Sequence, residues 1–85
     1  MDGQLDLGHT ARRLGLDPHA TWALMLPYVD RLQPTVGPHG GLLFAREQRR
    51  ALALILRGRR QGASEDAIRA ALSRRFPAAP PPPAA

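Results

Sequence analysis

The side chains most suited to catalysis or metal binding are three histidines, and their spacing favours neither role. His9, His19 and His39 are far apart in the sequence, and none belongs to an H-x-H or H-E-x-x-H motif. Ser64 and Ser73 have no plausible general base beside them, and Ser64 is better explained as the N-cap of a helix. The absence of cysteine excludes thiolate metal sites and disulfides. The sequence therefore predicts no enzymatic activity, no cofactor and no metal.

A glycine-rich segment at residues 37–41, Gly-Pro-His-Gly-Gly, is the next candidate for chemistry, as a phosphate-binding loop. It lacks the Lys-Ser/Thr pair that completes such a loop. Short apolar runs flank it, as in a β-hairpin with a flexible tip. We therefore predict a hairpin over residues 35–44 rather than a nucleotide site.

Arginine is the residue type that points most clearly to a partner. All 12 basic residues are arginine, against 7 acidic residues, and the formal net charge is +5. Guanidinium groups match the geometry of phosphate, so this composition favours a nucleic-acid partner. Exclusive use of arginine is also typical of a GC-rich genome, and the sequence does not separate the two explanations.

The length and the composition of the two ends limit the organisation of the chain. Its 85 residues leave room for one domain. We predict a flexible N-terminus over residues 1–6, a folded domain over 7–76, and a disordered, polyproline-like tail or linker over 77–85. No apolar run approaches the roughly 20 residues that cross a bilayer, and no signal peptide is recognisable. We expect a cytoplasmic protein of the bacterial nucleoid, with no membrane partner.

Capping and breaking residues predict two short helices in the first third of the chain. The first covers residues 7–14 and ends at Gly15, because glycine tolerates the positive φ of a helix end. The second covers residues 18–26, starting after the N-cap Asp17 and stopping before Pro27. Two helices of this length joined by a short turn are typical of a helix-turn-helix.

Two further helices carry an apolar face. The third is predicted over residues 46–61, and its opposite face holds Arg46, Arg49, Arg50, Arg57 and Arg60. We interpret this arginine face as a solvated surface. The fourth helix begins at the N-cap Ser64 and carries an apolar stripe that ends at Phe76. The expected fold class is mainly α, a winged helix-turn-helix with about four helices and a small β-hairpin wing.

In this order the elements resemble the MerR-type winged-helix-turn-helix domain. Residues 7–18 resemble that family's opening helix and its G-V-S-P turn, and residues 40–44, GGLLF, resemble its G-Y-R-L-Y wing strand. Residues 46–56 and 62–68, the latter GASEDAI, resemble its next helix and its G-x-S-x-E-x-I junction. The resemblance implies that the second helix enters the major groove of DNA and that the wing contacts the backbone.

The resemblance also implies which residues contact DNA. They are Arg12, Arg13, His19, Thr21, Trp22, Arg31, His39 and Arg46. Arg31, His39 and Arg46 are expected to group around the wing, whereas Trp22 has core packing as its alternative role. Trp22 and Leu42 stand where the family usually carries arginines in its second helix and wing. The family's effector domain is absent, so no small-molecule effector is expected.

Two functions are compatible with these features. The first is a DNA-binding module, as a transcriptional regulator, an excisionase-like architectural factor or a nucleoid-associated protein. It would bind double-stranded DNA as a homodimer or as part of a longer chain, since one such module buries little surface. The alternative is a winged helix that serves protein-protein interaction or dimerisation through the apolar run at residues 22–26.

Overall fold

Helices dominate the chain, as a computed structural model that describes residues 3–76 shows. A small antiparallel sheet of three strands completes this part. The elements in chain order are β1 (Leu5–Asp6), α1 (Leu7–Leu14), α2 (Pro18–Met25), a 3-10 turn (Leu26–Tyr28), α3 (Val29–Leu32), β2 (Thr35–Val36), β3 (Leu42–Phe44), α4 (Arg46–Arg60) and α5 (Glu65–Arg75). The prediction of a mainly helical chain with a small β element is confirmed, whereas the predicted tail at 77–85 lies outside the described residues.

The first two helices lie where the sequence predicts them, and local chemistry explains their limits. The chain leaves α1 through Gly15, whose φ of 75° is a conformation that residues with a Cβ rarely adopt. α2 starts after Asp17, whose carboxylate accepts the Ala20 N–H at 2.7 Å. A short capped turn therefore determines where α2 begins relative to α1.

The segment after α2 differs from the expectation. α2 ends at Met25, and the chain tightens into the 3-10 turn that contains Pro27, whose nitrogen has no hydrogen for an α-helical bond. The short helix α3 follows, which the sequence did not predict, and it ends at Gln33 with a φ of 45°. This compact segment brings Tyr28 and Leu32 into the core.

β3 is the central strand of the sheet, with β1 on one side and β2 on the other. Thr35 pairs with Leu43, so the predicted hairpin is present, and Leu5 pairs with Phe44. Residues 1–6 were expected to be flexible, but Leu5 and Asp6 of this segment form the strand β1. Its backbone groups bond to β3, which otherwise would present an unpaired edge.

The core lies between the inner face of α4 and the chain from α2 to β3. Tyr28, Phe44, Leu52 and Ile55 are fully buried, and Ile68 of α5 covers the cluster. Burial of such a side chain stabilises the fold by about 1.5–3 kcal/mol. A domain this small has few of them, so this cluster is its main source of stability.

α4 and α5 approach each other closely at a glycine. Gly58 of α4 faces Ile68, and a Cβ placed at Gly58 would lie 2.8 Å from Ile68 Cγ1. That separation is too short for two carbon atoms, so the absence of a side chain at Gly58 permits the close packing.

The side chain of Gln48 joins the start of α4 to the end of α3. Its Oε1 accepts the Ala45 N–H at 2.6 Å, and its Nε2 donates to the carbonyl oxygens of Leu32 and Gln33 at 2.7 and 2.8 Å. These bonds hold the two ends between which the β2–β3 hairpin projects.

Arg69 ties α5 to the segment around α3. Its guanidinium donates to both carboxylate oxygens of Asp30 at 3.2 Å and to the carbonyl oxygen of Pro27. Its Cζ also lies 5.4 Å from the centre of the Tyr28 ring, a cation–π contact. The hydrogen bonds from Arg69 hold the pKa of Asp30 below its ordinary value of 3.8.

Candidate nucleic-acid interface

The exposed face of α2 differs from the predicted one. Thr21 is fully buried, and its hydroxyl donates to the backbone carbonyl oxygen of Asp17 at 3.0 Å. The predicted contact between Thr21 and DNA therefore needs correction, because the side chain lies inside the protein and its donor is used within the helix. His19 and Trp22, the other two predicted contacts on α2, are exposed, and so is Ala23.

An apolar stripe runs from α2 into α3. Trp22, Leu26 and Val29 are 41%, 48% and 42% exposed. Their i, i+4, i+7 spacing places them along one side of consecutive helical turns. Trp22 is therefore only partly used in packing, and this stripe of three residues, the apolar stripe, is a surface that a partner can reach.

The last turn of α1 carries two exposed arginines, Arg12 and Arg13. Cations are favoured at this end by the helix dipole, and the opposite end carries the N-cap Asp6. The His9 N–H donates to the Asp6 carboxylate at 2.8 Å, which lowers the pKa of that carboxyl. Consecutive helical residues diverge by about 100°, so Arg12 and Arg13 face different surroundings.

Arg13 faces the N-terminal half of α4 across a surface groove of about 550 Å³. The lining residues of this groove, which we call the arginine groove, are Thr10, Arg13, Leu14, Arg46, Arg49, Arg50 and Ala53. Four of these described residues are arginines and none of them is acidic. The structure thus brings together Arg13 and Arg46, which were predicted as separate DNA contacts.

Arg49 and Arg50 are the members of the arginine groove that the sequence interpretation missed, because it assigned them to a solvated face. Their positions on α4 are visible in the sequence, but only the tertiary structure, in which α1 packs against β3 and shares a groove with α4, decides which arginines gather. Arg49 Nη1 donates to the carbonyl oxygens of Phe44 and Gly3 at 2.8 and 3.3 Å, so its guanidinium is held in place.

His39 is the only ionisable residue of the β2–β3 hairpin and is exposed at its tip. The Gly40 N–H donates to the Gly37 carbonyl oxygen at 3.0 Å, and the Gly37 N–H donates to the Gly41 carbonyl oxygen at 2.7 Å. Gly40 has a φ of 81°, which completes a tight three-residue connection. The hairpin thus presents a short, narrow tip with one imidazole.

Arg31 does not belong to the hairpin surface. Its Nη2 donates to the backbone carbonyl oxygen of Phe76 at 3.2 Å, which links α3 to the C-terminal end of α5. The expected grouping of Arg31 with His39 needs correction, because the unpredicted helix α3 directs this guanidinium to α5. Arg31 is half-buried and acts as a link inside the fold.

Residues 3–76 lack the features of two other kinds of site, a metal centre and a membrane-spanning helix. This part of the chain has no group of three or more His, Asp or Glu side chains placed to hold a metal ion. None of its helices combines the length and the apolar character that a membrane crossing requires.

The sequence matches no protein-family model, and no curated protein or solved structure is significantly similar to it.

Proposed function

We propose that this chain binds double-stranded DNA as a winged helix, with α2 in the major groove and the β2–β3 hairpin as the wing on the backbone. The observation that supports this most strongly is the arginine groove. Four guanidinium groups gather there, on the helix that precedes α2 and on α4, and none of the lining residues within 3–76 is acidic. Such a surface attracts the regularly spaced phosphates of a duplex.

The arrangement of the elements adds support. A pair of short helices is followed by a hairpin and two further helices, in the order of the MerR-type domain that the sequence resembles. α2 leaves His19 and Trp22 exposed, and a major groove about 12 Å wide admits one helix. The narrow tip around His39 suits a backbone contact next to that groove.

The side chains on α2 indicate how such binding would work. His19 is polar, whereas Trp22 and Ala23 are apolar, and none offers the two-pronged donor with which arginine reads guanine. Contacts from Arg12, Arg13 and Arg46 to phosphates therefore supply most of the affinity, and preference for a particular base sequence is weak.

Fluorescence anisotropy with a labelled duplex tests this function. We expect the logarithm of the binding constant to fall linearly with that of the salt concentration, by about 0.9 per phosphate neutralised. An unrelated duplex should bind almost equally well. Arg12→Gln should weaken binding more than Arg74→Gln, which makes the same change of charge at the far end of α5. Absence of binding at high micromolar protein and low salt would falsify the proposal.

A second candidate function rests on the apolar stripe. Trp22 exposes apolar surface on α2, the helix that a DNA-binding domain needs for polar contacts, and Leu26 and Val29 continue this surface through the 3-10 turn into α3. Leu24 and Met25, from the same run, are buried, so the stripe rather than the whole run is the contact surface. In this alternative, the stripe covers a second copy of the chain or another protein.

Sedimentation equilibrium separates the two candidates. If the stripe joins two copies, Leu26→Asp should abolish self-association, because it places a charge in the contact. Ala70→Asp adds the same charge at an exposed position of α5 and should leave association unchanged. A chain that remains monomeric at high concentration, or a dimer that tolerates Leu26→Asp, excludes self-association through the stripe.

A further inference from the structure

A buried hydroxyl in the lining of the arginine groove has no hydrogen-bond acceptor among residues 3–76. Thr10 lines the groove and is fully buried, and its Oγ1 has no hydrogen-bond partner in that part of the chain. A buried hydroxyl without a partner is energetically unfavourable, because it has given up its hydrogen bonds to water. By contrast, the buried hydroxyl of Thr21 bonds to the Asp17 carbonyl oxygen. Thr10 therefore lacks the internal acceptor that a threonine in a helix can use.

The charge around Thr10 indicates what could supply that acceptor. Arg13, Arg46, Arg49 and Arg50 line the same groove. Glu47 is the one acidic residue of α4, and its Oε1 lies 3.7 Å from Arg50 Nη1. An exposed ion pair of that length is weak, so Glu47 compensates little of the charge of Arg50. An oxyanion is the species that meets both the arginines and the hydroxyl.

The guanidinium of Arg49, in the lining of the groove, is held in place by the protein itself. The bonds from Arg49 Nη1 to the carbonyl oxygens of Phe44 and Gly3 fix its guanidinium before any ligand arrives. A fixed donor loses little conformational entropy on binding. The forked donors of arginine match oxyanions in a bidentate way, and a tetrahedral phosphate has more oxygen acceptors than a carboxylate to share among several forks.

We infer that the arginine groove is a binding site for a phosphate group, and that the Thr10 hydroxyl donates to one of its oxygens. The phosphate is either a free anion or a phosphodiester of a nucleic-acid backbone. The site does not depend on the proposed insertion of α2 into a major groove, since none of its lining residues lies on α2. It gives a defined role to Thr10, Arg49 and Arg50.

Titration of the protein with inorganic phosphate, followed by NMR of backbone amides and arginine Nε–H groups at low ionic strength, tests the site. We expect saturable shifts at Thr10, Arg13 and residues 46–50. Sulfate, a tetrahedral anion, should compete, and chloride at the same ionic strength should not. Shifts that rise linearly without saturation, or equally at all arginines, overturn the inference.

Three variants locate the site. Arg50→Gln should weaken phosphate binding by roughly ten-fold, because a charge-assisted bond is lost. Thr10→Val removes only the hydroxyl and should weaken it several-fold while the fold remains intact. Arg60→Gln makes the same change of charge as Arg50→Gln at an exposed position of α4 outside the groove lining, and should have little effect. Equal effects of Arg50→Gln and Arg60→Gln would show a diffuse charge effect and refute the site.

A parallel titration with duplex DNA separates the two sources of phosphate. If the natural ligand is a backbone phosphate, Arg50→Gln and Thr10→Val also weaken duplex binding, and Arg50→Gln makes its salt dependence shallower. If it is a free phosphate, both variants lose phosphate binding and keep duplex affinity. Saturable phosphate binding without any duplex binding would refute the proposed function and leave this site standing. Duplex binding without a saturable phosphate site would refute the phosphate site and leave the proposed function standing.

Discussion

The hydroxyl of Thr21 lies 3.0 Å from the carbonyl oxygen of Asp17 and donates a hydrogen bond to it. Asp17 is also the N-cap of α2, where its carboxylate accepts the Ala20 N–H. Asp17 thus caps the start of the helix with its side chain and accepts the hydroxyl of the inward-facing Thr21 with its backbone carbonyl oxygen. His19 and Trp22 are exposed on α2 as a result, and they are the side chains that any partner of this helix meets.

Thr21→Val and Thr10→Val make the same chemical change in two buried sites and should shift stability in opposite directions. We expect Thr21→Val to lower the free energy of unfolding by about 1 kcal/mol, because a buried hydrogen bond is lost. Thr10→Val should leave it unchanged or raise it by up to about 1 kcal/mol, because an unpartnered hydroxyl leaves the interior. Urea unfolding measures both.

Equal losses in the two threonine variants would contradict this assignment, since they would mean that Thr10 has an internal partner as Thr21 does. Duplex affinity of Thr21→Val, measured where the protein is fully folded, should equal that of the unmodified chain. A fall in affinity without a fall in stability would restore Thr21 as a DNA contact.

The two glycines inside helices offer a second matched pair. Gly58→Ala gains about 1 kcal/mol of helix propensity, but the new Cβ meets Ile68 Cγ1 at 2.8 Å. Overpacking costs about 1–3 kcal/mol, so we expect net destabilisation of about 1 kcal/mol. Gly8→Ala should stabilise the protein by about 0.5–1 kcal/mol, because its Cβ meets nothing closer than Asp6 Oδ1 at 3.6 Å. Thermal unfolding compares them. A stabilised Gly58→Ala would show that α5 moves aside freely.

Gln48→Ala should destabilise the chain by about 1–3 kcal/mol, because two bonds from α4 to the end of α3 and one bond that caps the start of α4 are lost. The carbonyl oxygens of Leu32 and Gln33 would then have to accept hydrogen bonds from water in place of those from Gln48. Hydrogen exchange should therefore quicken in the β2–β3 hairpin as well as at the start of α4. Gln61→Ala, at the exposed C-terminal end of α4, is the control and should change neither property. An unchanged hairpin in Gln48→Ala would mean that the sheet alone holds it.

The Asp30–Arg69 pair predicts a defined response to acid. The pKa of Asp30 is lowered below 3.8 in the folded protein, chiefly by the hydrogen bonds from Arg69. The folded state therefore binds this proton less readily than the unfolded state. The pair's contribution is complete above pH 3.8 and is lost as the pH falls through the folded pKa. Stability should decline in that acidic range.

Asp30→Asn should be less stable than the unmodified chain at neutral pH and lose less stability on acidification. Arg69→Met should remove the same part of the pH dependence, since it removes the partner that lowers the pKa. Part of the decline remains in both variants, because the pKa of Asp6 is also lowered. Urea unfolding at a series of pH values measures the slopes. Slopes equal to that of the unmodified chain would show that the ion pair is absent in solution.

The predictable features of this protein are those that act over a few residues. Asp17 and Pro18 start α2, Gly15 ends α1, and the segment 37–41 turns the hairpin, in each case through backbone geometry and bonds to near neighbours. Caps and turn residues work through contacts already present in a short peptide. The mainly helical class and most helix limits followed from the sequence for that reason.

Tertiary packing decided the features that involve distant residues. β1 forms because Leu5 pairs with Phe44, and the buried Thr21 lies on α2, which packs against both α1 and α4. The arginine groove likewise depends on α1 and α4 coming together, since Arg13 and Arg50 are neighbours in space and not in sequence. Periodicity indicates that a helix has two faces, but only the packing of the whole chain determines what each face meets.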